Sequence, residues 1–355
     1  MRYGSAKRDA GILRPPAKDS YVVEATIWDT RDGDAAEVAG SPGDTIGVAP
    51  MASRGDGRKS GIYDVSQELH EAYICPTSAV IRGTNGMSLH RNGAALITGA
   101  SSGIGAAYAE RLARRGYDLT LVGRNRRRLD ALAARISDET GRGVEVLQAD
   151  LSNKEDLARI ETALKQDASL TMLVNNAGVG AAAPLLQSNV DLMEDMIKLN
   201  VVALMRLIYA AAPVFAARGH GAIINISSVA AIAPEMLNGV YGGTKAFVLT
   251  FSQSLHHEFA DKGVRVQVVL PGATSTAFWD TAGMPVGNLP ADRVMPVGEM
   301  VDAALAGLDL GELVTIPSLP HMADWDALEA ARRKLTPHLS RAHPAARYRT
   351  RPADA

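Results

Sequence analysis

From Ala94 onwards, short apolar runs alternate with longer amphipathic stretches, and that alternation carries most of the fold. The run Ala94–Thr98 is apolar and breaks at Gly99, which predicts a buried strand followed by a turn. A helix over about 103–115, a strand 118–123, a helix about 126–140, a strand 144–149, a helix about 153–167 and a strand 171–175 follow. A long helical stretch, about 188–217, leads to strand 222–227, a helix about 239–261 and strand 265–270. After a loop come a helix about 299–309 and a last short strand 313–316. Strands joined through single helices predict one α/β domain, a doubly wound parallel seven-stranded sheet with right-handed crossovers. The expected domain spans 87–316, and 317–355 reads as a C-terminal helical tail: a charged helix from Asp324 to about Leu335, then a Pro- and Arg-rich end that frays.

The first 86 residues break the pattern. Gly, Pro, Asp and Arg are scattered without a sustained period, and turn clusters such as Arg31-Asp32-Gly33-Asp34 and Ser53-Arg54-Gly55-Asp56-Gly57 punctuate them. Strand-like pieces at Tyr21–Val23 and Tyr73–Cys75 are too isolated to build a core. A poorly ordered extension is expected, with the reading frame over-extended and the natural start near Met87.

Charge and cysteine usage narrow the function. A net charge of −2 over 355 residues provides no basic field for nucleic acid or an anionic membrane, so a small-molecule substrate suits the chain better. The single cysteine, Cys75, makes no internal disulfide, which fits a reducing compartment and a cytoplasmic location. Val201–Ala217, the longest apolar run, contains Arg206 and Pro213, so no membrane-spanning segment is expected.

Two local features carry chemistry. Tyr241 and Lys245 stand four residues apart, so a helix there puts a phenol and an ammonium on one face. Unit charges about 4 Å apart interact by roughly 4 kcal/mol at an effective dielectric of about 20. That predicts a Tyr241 pKa lowered from about 10 toward neutrality, suited to proton exchange in carbonyl chemistry. Upstream, Gly99, Gly103 and Gly105 interrupt the transition from the first strand to an Ala-rich helix. Glycines in such a turn let the backbone approach a pyrophosphate, and the helix start favours anions.

The ordered set Thr98-Gly99-x-x-x-Gly103-Ile104-Gly105, Asn175-Asn176-Ala177-Gly178, Tyr241-x-x-x-Lys245 and Pro271-Gly272 resembles the single-domain branch of the short-chain dehydrogenase/reductase family, over about Gly93 to Ile316. Ser228 stands thirteen positions before Tyr241, the family's spacing for its serine, and Asn200 lies in a matching Lys198-Leu199-Asn200 context. The resemblance implies a Rossmann fold and a catalytic set of Asn200, Ser228, Tyr241 and Lys245. Tyr241 would give a proton to the substrate oxygen, Ser228 would bond that oxygen, Lys245 would acidify Tyr241 and bond the nicotinamide ribose, and Asn200 would hold a water next to Lys245. The cofactor would lie on Gly99, Ser101, Ser102, Gly103, Ile104 and Gly105, on Asp150 and Leu151 at its adenine, and on Asn176, Ala177, Gly178, Pro271, Gly272 and Thr274. After the second strand the chain reads Arg124-Asn125 with no acid, so NADP is expected over NAD, with Arg124 on the 2′-phosphate and Asn125 beside it.

Ligands of open α/β sheets bind outside the carboxyl ends of the strands, where all these motifs fall. Phe278, Trp279, Met284, Val286 and Leu289, with Met236 and Leu237, would form an apolar lid and wall for a hydrophobic carbonyl or alcohol. A homodimer or homotetramer is implied by the family alone. His256 and His257 point different ways on a helix and make no metal site. The competing class is a non-catalytic NADP-binding regulator on the same fold; an intact set at 200, 228, 241 and 245 favours an enzyme.

Overall fold

The computed structural model describes residues 92–348 and, for their backbone, three short strands nearer the N-terminus. The chain divides into two units, Met1–Met87 and Ser88–Ala355. In the first, β1 (Val23–Trp28), β2 (Ala35–Gly40) and β3 (Ala49–Pro50) pair antiparallel in the order β1-β2-β3. The expected poor order of the extension and a start near Met87 lie otherwise outside the described residues.

The second unit is built on β4 (Ala94–Thr98), β5 (Asp118–Gly123), β6 (Val144–Gln148), β7 (Leu170–Asn175), β8 (Gly221–Ile226), β9 (Val264–Val269) and β10 (Val314–Thr315). They form one seven-stranded sheet in the order β10-β9-β8-β7-β4-β5-β6, every neighbouring pair parallel. The order reverses beside β4, so a crevice opens between the loops after β4 and β7, where such sheets hold ligands.

Between the strands run α1 (Gly103–Arg114), α2 (Arg126–Thr140) and α3 (Lys154–Gln166), then α4 (Val190–Ile197) and α5 (Leu204–Arg218), and later α6 (Gly239–Glu258). A short turn α7 (Phe278–Thr281) and helices α8 (Val297–Asp309) and α9 (Met322–Lys334) complete the chain. Local chemistry sets many of the boundaries: Asn125, Asn153 and Asn189 accept hydrogen bonds from first-turn N–H groups, and α2 stops at Gly141, whose positive φ ends the helix. Apolar layers cover both sheet faces. One packs α3, α5 and α6 through Ile160, Phe215 and Val248; the other packs α1, α2 and α8 through Leu112, Leu129 and Val301.

Two features depart from the sequence expectation. The stretch expected as one helix over about 188–217 is interrupted by a π-helical turn, Lys198–Ala203, that contains Asn200. The run Val190–Arg218 is long and apolar enough to cross a membrane by length and composition, and half of its most apolar stretch is buried in the fold. Helix α9, expected as part of a tail, buries Trp325 in the core and sets Glu329 against Gln253 of α6 at 3.2 Å.

Candidate active site

The turn after β4 is shaped by glycine where shape requires it. Gly99 and Gly103 hold φ of 65° and 58°, which side chains rarely adopt. A Cβ on Gly105 would lie 2.5 Å from the Gly99 carbonyl oxygen and 2.6 Å from Asn176 Nδ2, so a third glycine lets α1 close onto the turn. Asn176 locks that turn by donating to the carbonyls of Thr98 (2.9 Å) and Gly99 (3.3 Å), and the Thr98 hydroxyl accepts from the N–H of Asn176 and Ala177. The Ser102 N-cap makes no side-chain cap, and the first turn of α1 has no acid. Its leading N–H groups therefore open on an anion-favouring helix start.

A cleft of about 1120 Å³ extends from this turn. Gly99, Ser101, Ser102, Gly103 and Ile104 line it, as do Arg124, Asn125, Asp150, Leu151, Asn176, Ala177, Gly178, Pro271, Gly272, Thr274, Ser228, Tyr241 and Lys245. Gly105 and Asn200 do not: the first packs behind the turn, and the second bonds the protein. Asn200 accepts from the Val179 N–H and donates to its carbonyl, both at 2.9 Å, and also donates to the Thr244 hydroxyl at 3.2 Å. Asn125 uses its side-chain oxygen to cap α2 through Arg128 N–H, and the Asp150 carboxylate accepts from Ser152 N–H. Arg126 is paired with Asp130, whereas Arg124 and Arg128 have no carboxylate partner among the described residues.

The strand ends and α6 bring Ser228, Tyr241 and Lys245 together on one cleft. Ser228, just beyond β8, accepts from Ala230 N–H at 3.1 Å, and Val229 N–H reaches the Pro271 carbonyl, fixing the two loops against each other. Asn238 caps α6 and donates to the Ala183 carbonyl, which ties the start of the tyrosine helix to the loop after β7. One turn on, Tyr241 is only 5 % exposed and Lys245 only 7 %. The Lys245 Nζ lies 5.8 Å from the tyrosine ring centroid and donates to the Ile226 carbonyl at 2.9 Å.

The electrostatics correct the expectation drawn from spacing. Burial pushes the Tyr241 phenol up to about 12, and the Ser228 hydroxyl pulls only partly the other way. Burial also brings the Lys245 ammonium down to about 8. Loss of water sets the direction at both groups, and the lysine is bonded to a backbone carbonyl.

The lid lies over this cluster. Phe278, Trp279, Met284, Leu289, Met236 and Leu237 line the cleft, but Val286 does not. Trp279 is also a brace, its indole N–H donating to the Thr274 carbonyl at 2.9 Å. Met196 and Met193 pack around Tyr241. Among the described residues no cluster of His, Cys, Asp and Glu is arranged to hold a metal. The sequence reading missed Val179, Arg128, Arg293 and Ser318 as lining residues. Only Arg128, one helical turn from Arg124, carried a signal that could have found it, since the others sit in loops without periodicity.

Comparison with known proteins agrees with this geometry. The family model of the short chain dehydrogenases matches residues 93–284. The solved structure of a short-chain dehydrogenase from Sphingobium yanoikuyae in complex with NADPH is 53 % identical, covers 72 % of this chain and all of its own, and superposes with a TM-score of 0.71. A bulky-bulky ketone specific alcohol dehydrogenase from Comamonas testosteroni is 47 % identical over 72 % of this chain and 98 % of its own, with a TM-score of 0.67. The very-long-chain 3-oxoacyl-CoA reductase of Anas platyrhynchos is 37 % identical over 187 residues, and the match spans 51 % of this chain and 60 % of that protein's length. With the glycine turn, the Asn-Asn-Ala-Gly loop and the Tyr-Lys helix on one sheet edge, the chain belongs to the short-chain dehydrogenase family.

Proposed function

We propose that this chain is an NADP(H)-dependent oxidoreductase acting between a bulky apolar ketone and its secondary alcohol. The observation that carries the reading is the convergence of Ser228, Tyr241 and Lys245 on the cleft whose far wall is the Gly99–Ile104 turn. A dinucleotide fits that cleft: two positive-φ glycines and a helix start free of side-chain caps would receive its phosphates, and Arg124, without a carboxylate partner among the described residues, is available to a 2′-phosphate. When bound, the nicotinamide supplies or accepts the hydride at the carbonyl carbon.

The protein's part is orientation and proton supply. Tyr241, held up to about 12, keeps its proton at neutral pH and is in the form that protonates a developing alkoxide. Ser228, which lines the same cleft, is placed to hold the same oxygen. Lys245, one turn away, is a source of positive charge at neutral pH that fades as pH rises through about 8. The apolar lining from Val179, Met236, Leu237, Phe278, Met284 and Leu289 supports a substrate with large apolar arms, as does the ketone named for the Comamonas testosteroni relative. We assign the enzyme to the cytoplasm, and its exposed Val190, Ile197, Val202 and Tyr209 to contact with a second copy of the chain.

The test is NADPH consumption with a panel of aryl and alkyl ketones. Tyr241→Phe is expected to lose about 100-fold to 10,000-fold in kcat, the usual worth of a general acid. Its NADPH affinity, read by fluorescence titration, should change little. Comparable turnover in that variant would remove Tyr241 from the mechanism; tight NADPH binding by the wild type with no turnover across the panel would refute the enzyme.

A further inference from the structure

Gly180 has no backbone reason to be glycine. It is absent from the positive-φ glycines and belongs to none of the sequence motifs. Its surroundings supply the reason: a Cβ built there would overlap Phe278 Cζ and fall 2.9 Å from Cε2 and 3.1 Å from Cε1. The ring tip of a lid residue therefore rests directly on the Gly180 backbone.

The rest of the contact runs toward Tyr241. The Phe278 ring lies 6.0 Å from the tyrosine ring, tilted by 49°, and packs edge-on against Trp279 at 5.6 Å. Trp279 is braced on the Thr274 carbonyl, and Ala182 N–H donates to the Ala282 carbonyl at 3.0 Å, so lid and loop are stitched on both sides of the contact. Val179, next to Gly180, is fixed in both directions by Asn200. Phe278 is only half-buried and lines the cleft, so its remaining face is presented beside the phenol.

We propose that Gly180 and Phe278 form a specificity-determining pair: the glycine is a socket that lets the lid phenylalanine sit beside Tyr241, where its ring limits the size of the substituent next to the reacting carbonyl. The pair rests on the reading of Tyr241 as the group that meets the substrate oxygen. Gly180 acts through Phe278 and does not touch substrate itself. In a hydrophobic pocket a mismatch of one methylene changes discrimination by about 10- to 200-fold, so removing a ring is well within reach of measurement.

The experiment is a double-mutant cycle on the full chain, with NADPH and two ketones that differ in one arm, acetophenone and valerophenone. Phe278→Ala is expected to raise the ratio of kcat/KM for valerophenone over acetophenone by about ten-fold or more. Gly180→Ala with Phe278 in place should lower kcat/KM for both ketones by about ten-fold, because the ring is driven from its socket toward the cleft. The same substitution in the Phe278→Ala background should cost less than about two-fold, the non-additivity of residues in contact. Additive effects, or an unchanged ratio in Phe278→Ala, overturn the pair. If Phe278→Ala does not fold, Phe278→Leu replaces it, with a smaller shift in the same direction required. Should the wild type turn over neither ketone nor any other member of the panel, the reductase reading fails on its own. The pair is then decided by calorimetric affinities of the NADPH complexes for the two ketones, where a shifted ratio supports it and an unshifted one overturns it.

Discussion

Replacing Lys245 by Met is expected to stabilise the fold at neutral pH, with a gain that fades in alkali. The ammonium is nearly buried on α6, and its pKa falls from 10.5 in the unfolded chain to about 8. Each unit is worth about 1.4 kcal/mol, so keeping the charged form inside the fold costs about 3 kcal/mol at pH 7. A lowered lysine value means that the unfolded chain binds the proton more tightly. Wild-type stability therefore rises as pH climbs from about 8 towards 10.5, and about 1 kcal/mol of the penalty is left at pH 10. Met keeps the length and helix preference without the charge and gives up the bond to the Ile226 carbonyl, a loss of about 1 kcal/mol. The variant should thus be more stable by about 2 kcal/mol at pH 7 and roughly equal near pH 10. Tyr241, raised to about 12, has the opposite sign and weakens the fold above about pH 10, but it is present in both proteins and cancels in the difference. Urea unfolding of both proteins at the two pH values is the assay. An advantage that stays constant between them, or a variant that loses stability at pH 7, would show that Lys245 is not held against a desolvation penalty.

Two further substitutions probe the cofactor end. Arg124→Gln should weaken NADPH by about 10- to 100-fold, the worth of a charged hydrogen bond, and leave NADH nearly unchanged; fluorescence titration with both cofactors checks it, and equal losses would move the phosphate contact elsewhere. Gly105→Ala puts a Cβ 2.5 Å from the Gly99 carbonyl oxygen and should cost about 1–3 kcal/mol, read as a lower Tm and weaker NADPH binding. A variant melting with the wild type would mean that α1 can retreat from the turn.

The fold was largely legible because its signals are local. β4, β5 and α2 begin and end where apolar runs, glycines and an asparagine cap place them. The cleft-lining glycines and the Tyr-Lys pair could be read for the same reason: turn geometry and helical spacing are properties of neighbours in sequence. What escaped depends on partners distant in the chain. No glycine or proline marks the π turn at Lys198–Ala203, and no local pattern says that Asn175 donates to Asn225, which donates to Ser252, inside the sheet layer. Spacing placed Lys245 beside Tyr241 but was silent on how much water either keeps. That omission reversed the expected direction of the tyrosine's acidity.

The π turn explains how distant parts of the site are held to one another. A helix widened at Lys198–Ala203 presents Asn200 to the loop after β7, and the asparagine grips Val179 by both its N–H and its carbonyl. The same amide reaches Thr244, whose neighbour Lys245 is itself fixed to the end of β8 through the Ile226 carbonyl. One side chain thus couples the loop that carries Gly178 and Gly180 to the helix that carries Tyr241. A regular α-helix would turn that side chain by a different angle from its axis, so the interruption is the feature that sets the register between loop and helix. Asn200 thus ties the wall on which the lid phenylalanine rests to the helix of the tyrosine beside which that ring is placed, through Val179 on one side and Thr244 on the other.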